Sequence, residues 1–178
     1  MRLFVGIPFP DDIRDRLGGL LGGLPGARWV RPENLHISLR FIGEVAGGDE
    51  IAIDRALGAV GFEPFELTLS GVGCFESRGR VHVVWAGIEK PDAVMRLQGK
   101  VAAALVRLGV EPEHRKFKPH VTLARMKNGK AREVGQYLEV HNGFMAGPFA
   151  AARFTLFESH LGRGGPHYQA LADYPLGG

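Results

Sequence analysis

The chain has 178 residues, 45% hydrophobic and 23% charged, with a formal charge of +3 and a pI near 9.2. That is enough chain for one domain with a substantial core, and its composition excludes a disordered or fibrous protein. No stretch is long and apolar enough to suggest a membrane helix, and the single cysteine, Cys74, excludes an internal disulfide, so the reading is a soluble, cytoplasmic protein, taken by default as a monomer, whose mild basicity suits a polyanionic partner without requiring one.

Arg2 to Pro8 reads as a buried strand. Pro10-Asp11-Asp12 opens a helix, with Ile13, Leu17, Leu20 or Leu21, and Leu24 at helical spacing and Pro25-Gly26 as its stop. Trp29 to Pro32 leads into a strand over Leu35 to Phe41. Asp49 is a plausible N-cap for a helix reaching about Val60. Phe65 to Val72 and Val81 to Ile88 read as paired strands. Pro91-Asp92 opens the clearest helix, its stripe formed by Val94, Leu97, Val101, Leu105 and Leu108, with Gly109 as the stop. A polar loop, Glu111 to Lys118, leads into a strand over Pro119 to Leu123. Asn128-Gly129 reads as a turn, Ala131 to Leu138 as a short helix, and Phe149 to Leu161 with His167 to Asp173 as a hairpin. The element order repeats, with one histidine-bearing strand in each round.

Those two strands carry His36-Ile37-Ser38-Leu39 and His120-Val121-Thr122-Leu123. Alternation gives the first an apolar face of Leu35, Ile37, Leu39 and Phe41, and a polar face of His36, Ser38 and Arg40. In the second, Val121 and Leu123 face the core while His120 and Thr122 point away. An imidazole and a hydroxyl thus stand side by side twice. Two histidines can act as general base and general acid, and two hydroxyls can donate to oxygens that gain charge. A phosphodiester attacked in line needs that set, and the scheme requires no metal and no cofactor.

The strings and their flanks, Asn34 to Gly43 and Phe117 to Arg125, resemble the 2H phosphoesterases, specifically the RNA 2′,3′-cyclic phosphodiesterase branch also labelled 2′-5′ RNA ligase. The resemblance runs from Arg2-Leu3-Phe4-Val5-Gly6-Ile7 to Leu156-Phe157-Glu158-Ser159 and Tyr168. It implies an α+β domain of two pseudo-symmetric lobes, with antiparallel sheets lining a central cleft and helices outside. It further implies hydrolysis of RNA 2′,3′-cyclic phosphate ends, with His120 accepting a proton from water and His36 protonating the leaving 3′ oxygen. Ser38, Thr122 and Arg125 would hold the phosphate. The first string departs from the commoner family pattern by carrying Ser in place of Thr, which keeps the hydroxyl and loses the methyl.

Arg125 matches a family arginine, yet strict alternation points it into the core unless a bulge near Ala124 turns it out. Arg40 shares the His36 face by parity and reads as a phosphate contact or a rim charge. His82, His114, His141, His160 and His167 lack a neighbouring hydroxyl and read as structural, and no cluster has zinc-ligand spacing. Phe9, Phe41, Phe75, Trp85 and Tyr168 are candidates for stacking on a base. Two other readings share the constellation. One is an enzyme acting on ADP-ribose cyclic phosphate, a small cyclic nucleotide or 2′-5′ oligonucleotides; the other is a module that binds RNA or nucleotide without turnover.

Overall fold

The computed structural model describes residues 1–177. In chain order these form β1 (Arg2–Pro8), α1 (Asp11–Gly18), β2 (Ala27–Trp29), β3 (His36–Glu44), α2 (Asp49–Gly58), β4 (Phe65–Ser77), β5 (Arg80–Glu89), α3 (Asp92–Arg107), β6 (Val121–Gly129), α4 (Ala131–His141), β7 (Met145–Ala151), β8 (Arg153–His160) and β9 (His167–Pro175). One 3-10 turn, Pro32–Asn34, precedes β3.

The pairings among these strands are antiparallel. Four strands run in the order β3-β1-β8-β9, and four in the order β6-β5-β4-β7, with β2 also lying on β6. The halves meet where β3 and β6 begin, through the pair Ile37–Val121, which makes one open nine-stranded sheet. The architecture is α+β, as the resemblance implies, with the two antiparallel sheets continuous at their centre. Helices α2 and α3 cover the half containing β3, whereas α1 and α4 pack on β7, β4 and β5 of the other half. Both α1 and α3 therefore leave a strand of one half and cover the other.

The helix-facing side of the sheet is the core. Leu3, Val5 and Ile7 of β1, Ile37 and Leu39 of β3, Val84 and Ala86 of β5, and Val121 and Leu123 of β6 are buried there. Helix α3 closes over it with Val94, Leu97, Val101 and Leu105. Leu108, expected in that stripe, is the C-cap and is exposed, while Gly109 takes positive φ and ends the helix.

Several boundaries differ from those read in the sequence, among them β4, which runs past Val72 to Ser77. Helix α1 ends at Gly18, because the glycine run beyond it favours turns, although Leu20 and Leu24 still reach the core. Ala27–Trp29 forms a strand because β6 offers it a free edge, a tertiary fact that three residues cannot announce. Asn128 and Gly129 extend β6, where Gly129 pairs with Val81, so they make no turn. Phe149 to Leu161 is two strands: β7 joins β4, and β8 crosses to the other half to pair with β1 and β9.

On the opposite side of β1, Gly6 lies directly under the first histidine. A Cβ there would stand 2.9 Å from the Ile37 carbonyl oxygen and 3.0 Å from the His36 ring. Gly6→Ala is expected to cost about 1–3 kcal/mol, the usual toll of overpacking, read as a lowered urea midpoint. An unchanged midpoint would show that β1 gives way without penalty.

Candidate active site

The pair Ile37–Val121 fixes what lies across from what. One step to either side, in antiparallel register, His36 falls opposite Thr122 and Ser38 falls opposite His120. Directly opposed side chains in a regular ladder have Cβ atoms about 5 Å apart, and diagonal ones roughly 7–8 Å. The histidines occupy a diagonal of this square and the hydroxyls the other. Residues 84 apart in the chain are thereby gathered around one gap.

Beyond the square, both strings depart from strict alternation at the same place. In β3, Arg40 pairs with Val5 and Ser38 with Gly6, so Leu39 is an extra residue opposite β1. In β6, Ala124 pairs with Val84 and Thr122 with Trp85, so Leu123 is the extra residue opposite β5. A bulge of one residue inverts the parity of everything after it. Consecutive residues are buried in each strand: Leu39 with Arg40, and Leu123 with Ala124. The bulge turns Arg125 onto the face of Thr122, the resolution that its resemblance to a family arginine required. It also turns Phe41 outward, against the expectation that it faces the core.

Arg40 is corrected by the same slip. It is only 6% exposed and lies inside, off the His36 face. Its guanidinium donates to the carbonyl of Phe41 at 2.6 Å and to that of Glu111, and pairs with Glu113 at 3.6 Å. Arg40 thus ties the first histidine strand to the loop that precedes the second, and its cation is already engaged.

The two rings are held alike. His36 Nδ1–H donates to the Asn34 carbonyl and His120 Nδ1–H to the Lys118 carbonyl, each at 2.6 Å. A carbonyl can only accept, so Nδ1 carries the proton in both neutral rings and Nε2 is the free nitrogen. Ser38 Oγ donates to His36 Nε2 at 2.8 Å. Burial pushes the His36 imidazole down from its usual 6.5 to about 4; the Asn34 carbonyl opposes this, and the charges of His120 and Arg125 add to it. His120 is lowered too, chiefly by burial, with the Lys118 carbonyl opposing and Arg125 assisting. Both rings are therefore neutral bases in the free protein at neutral pH.

A concavity of about 360 Å³ holds His36, Ser38, Thr122 and Arg125, walled by Arg2, Phe4, Asn34, Phe41, Leu161 and Tyr168 among others. His120 lies in an adjoining, wider cleft of about 1040 Å³ with Phe75, Arg115, Lys116 and Lys118. Ser38 and Phe41 border both. Asn34, Arg2 and Leu161 are wall residues that the sequence reading did not single out. Asn34 is buried; its backbone carbonyl accepts the hydrogen bond from His36 Nδ1–H, and its side chain donates from Nδ2 to the Pro166 carbonyl at 2.9 Å, pinning the β8–β9 loop beside the site. Only its position two residues before a motif histidine hints at this. His82 and Cys74 edge the wider cleft, and burial and Glu76 push the Cys74 thiol up, away from a reactive thiolate. His114, His141, His160 and His167 line neither concavity. Among the described residues no group of three or more His, Cys, Asp or Glu side chains could hold a metal ion, and no helix is long and apolar enough to cross a membrane.

A family described as LigT like phosphoesterase matches residues 7–85 and, in a second segment, 87–168. An RNA 2′,3′-cyclic phosphodiesterase of Archaeoglobus fulgidus is 36% identical over 174 residues, covering 96% of this chain and 98% of that protein. Its counterpart in Methanothermobacter thermautotrophicus is 31% identical and covers 99% of each. Among solved structures, E. coli LigT without ligand superposes with a TM-score of 0.81 at 31% identity, covering 98% of this chain and 96% of that one. LigT complexed with 3′-AMP gives 0.80 at 29%, covering 99% and 98%.

The depressed histidine has a thermodynamic signature. Between about pH 6.5 and 4 the unfolded chain protonates at His36 while the folded one does not. The unfolded state then binds more protons, so this contribution to stability is complete above pH 6.5 and is lost as pH falls towards 4. Urea midpoints should drop across that window, less steeply in His36→Gln, and NMR should show His36 titrating near 4. Titration near 6.5 would refute the buried environment described above.

Proposed function

The chain belongs to the LigT-like phosphoesterase family, and from that membership we propose that it hydrolyses RNA 2′,3′-cyclic phosphate ends to 2′-phosphates by a two-histidine mechanism without metal. What supports the reading is the register set by Ile37 and Val121, which sets His36 across from Thr122 and Ser38 across from His120, with His36, Ser38, Thr122 and Arg125 sharing one concavity and His120 the cleft beside it. Proteins similar to this one along their whole length are cyclic phosphodiesterases, and the relative bound to 3′-AMP accommodates a nucleoside monophosphate.

In this reading the cyclic phosphate enters the smaller concavity. Ser38, Thr122 and Arg125 donate to its non-bridging oxygens, where charge accumulates in the transition state. Water approaches from the wider cleft, and His120 Nε2 takes its proton as the oxygen attacks phosphorus. The bond from phosphorus to the 3′ oxygen breaks opposite the attack, and His36 Nε2 delivers the proton which that oxygen needs. The two imidazoles then hold each other's starting protonation states and reset by exchange with water. With a 5′-hydroxyl in the place of water, the same forward step forms a bond from phosphorus to the 5′ oxygen, breaks the one to the 3′ oxygen, and joins two strands by a 2′-5′ bond; attack by that 3′-hydroxyl reverses it.

The general acid must be charged before the chemistry, yet burial keeps His36 neutral in the free site. The substrate supplies the remedy, since an anionic phosphate beside the ring raises its proton affinity. Arg125, which opposes protonation of both rings in the free protein, is partly neutralised by the same anion.

Three outcomes are expected. His36→Ala and His120→Ala should each lower kcat by roughly 10²–10⁴-fold, with EDTA without effect and phosphorus NMR showing a 2′-phosphate product. The rate should be bell-shaped in pH, with apparent values belonging to the coupled pair. Calorimetry of adenosine 2′-phosphate binding in buffers of different ionisation enthalpy should show net proton uptake above pH 6. Activity lost to EDTA and restored by metal would overturn the mechanism, and binding without proton exchange would remove His36 from the acid's role.

A further inference from the structure

Resting on the phosphodiesterase reading, we propose that Asn34 is a positioning residue that joins two parts of the site. Its side chain docks the β8–β9 loop against the phosphate concavity and its backbone carbonyl aims the His36 ring, so one residue holds both the wall and the general acid.

The loop, residues 161–166, has little structure of its own. The β8–β9 ladder ends at the pair His160–His167. Past it, Gly162, Gly164 and Gly165 leave the backbone free to move. Within the loop the Gly165 amide donates to the Gly162 carbonyl at a long 3.3 Å. Yet Leu161 and Pro166 wall the concavity that contains His36, Ser38, Thr122 and Arg125. Among the described residues, two side chains of one short turn tie the loop to a distant part of the chain. Arg31 Nη2 donates to the Gly164 carbonyl at 2.8 Å, and Asn34 Nδ2 to the Pro166 carbonyl at 2.9 Å. Gly164 suits the outer tie: it lies at φ +84°, and a Cβ there would stand 2.8 Å from the same Arg31 nitrogen.

The two ties are unequal. Arg31 is exposed, so water can replace its bond. Asn34 is 4% exposed, and a buried donor pulled from its partner is costly. The turn that carries it is closed by the Asn34 amide on the Arg31 carbonyl at 2.8 Å and the Leu35 amide on the Pro32 carbonyl at 3.2 Å. From this turn the Asn34 carbonyl accepts His36 Nδ1–H at 2.6 Å, which leaves Nε2 facing the site. The direction of that carbonyl therefore rests on the turn and on the grip of the Asn34 side chain on the loop. The far end of the loop leads straight into Tyr168, whose ring lies edge-on to His36 at 5.5 Å. His120 is held differently, since its carbonyl partner belongs to Lys118, whose own side chain is exposed.

The test separates the ties. Arg31→Met removes the outer one, and Asn34→Leu removes the inner one with little change of volume or charge; Asn34→Ala, which cannot clash, should behave like the leucine variant. Backbone ¹⁵N order parameters of Arg163 to Gly165 should fall from roughly 0.85 to below about 0.6 in all three. Ring ¹⁵N shifts should show the single Nδ1–H tautomer of His36 kept in the wild type and Arg31→Met, and a mixture of tautomers in the Asn34 variants. Neither reading depends on turnover, so both stand apart from whether the chain proves to be a phosphodiesterase. With a cyclic phosphate substrate, Arg31→Met should raise KM about threefold at unchanged kcat, whereas Asn34→Leu should also lower kcat about tenfold. A rigid loop in the Asn34 variants, an unchanged His36 tautomer there, or equal loss of kcat in Arg31→Met and Asn34→Leu overturns the proposal.

Discussion

One backbone pairing, Ile37 with Val121, joins the two halves of the sheet. The two strands touch where each begins, and from there each leans on its own half, β3 against β1 and β6 against β5 and β2. A longer ladder would close the gap between the polar faces, and no ladder would let them drift apart. A single contact sets the register, which fixes which side chains oppose one another, and leaves room for a ligand beside them. The clamp between Arg40 and the 111–113 segment reinforces the junction, because it fastens the strand carrying His36 to the approach to His120.

The electrostatics follow from that position. Side chains at the centre of a sheet lose water, and an imidazole without water gives up its proton. The carbonyls of Asn34 and Lys118 partly oppose this and, more importantly, orient each ring by taking Nδ1–H. Arg125 adds positive potential where both rings feel it. An empty site of this kind is short of negative charge. The anionic phosphate of the proposed reaction relieves Arg125 and the rings together.

The sequence disclosed the strings, their strand context, the apolar faces of Ile37, Leu39, Val121 and Leu123, and the stripe of α3. Those features are local, and local periodicity reports burial. What it hid was every consequence of an irregular step. Nothing in Leu39 or Leu123 marks either as the extra residue of a bulge; the bulges appear only when β1 and β5 are laid alongside. Parity therefore assigned Arg40 to the wrong face and Phe41 to the core, while Arg125 could be turned outward only by supposing the irregularity that β6 contains. The crossing of β8 to the far half was hidden for a similar reason. Ala152, a single residue between β7 and β8, carries the change of partner, and it has no turn signature.

The repeat in the chain explains why the two bulges matter. With His36 matched to His120, Phe41 occupies the place of Arg125, five residues on and thrown outward by the same extra leucine. A perfectly symmetric site would bind a phosphate from either side equally well and could not tell the attacking oxygen from the departing one. Here one half presents a cation beyond its hydroxyl and the other an exposed aromatic ring, and the rings of His36 and Tyr168 fill one wall while Lys118 and Phe75 flank the other. The substrate is asymmetric as well, charged at phosphorus and apolar at the base. In the proposed reaction, that match sets the direction in which the substrate lies, with His120 towards the nucleophile and His36 towards the leaving group. The backbone device is duplicated, and the distinction between the two half-sites rests on what each bulge exposes.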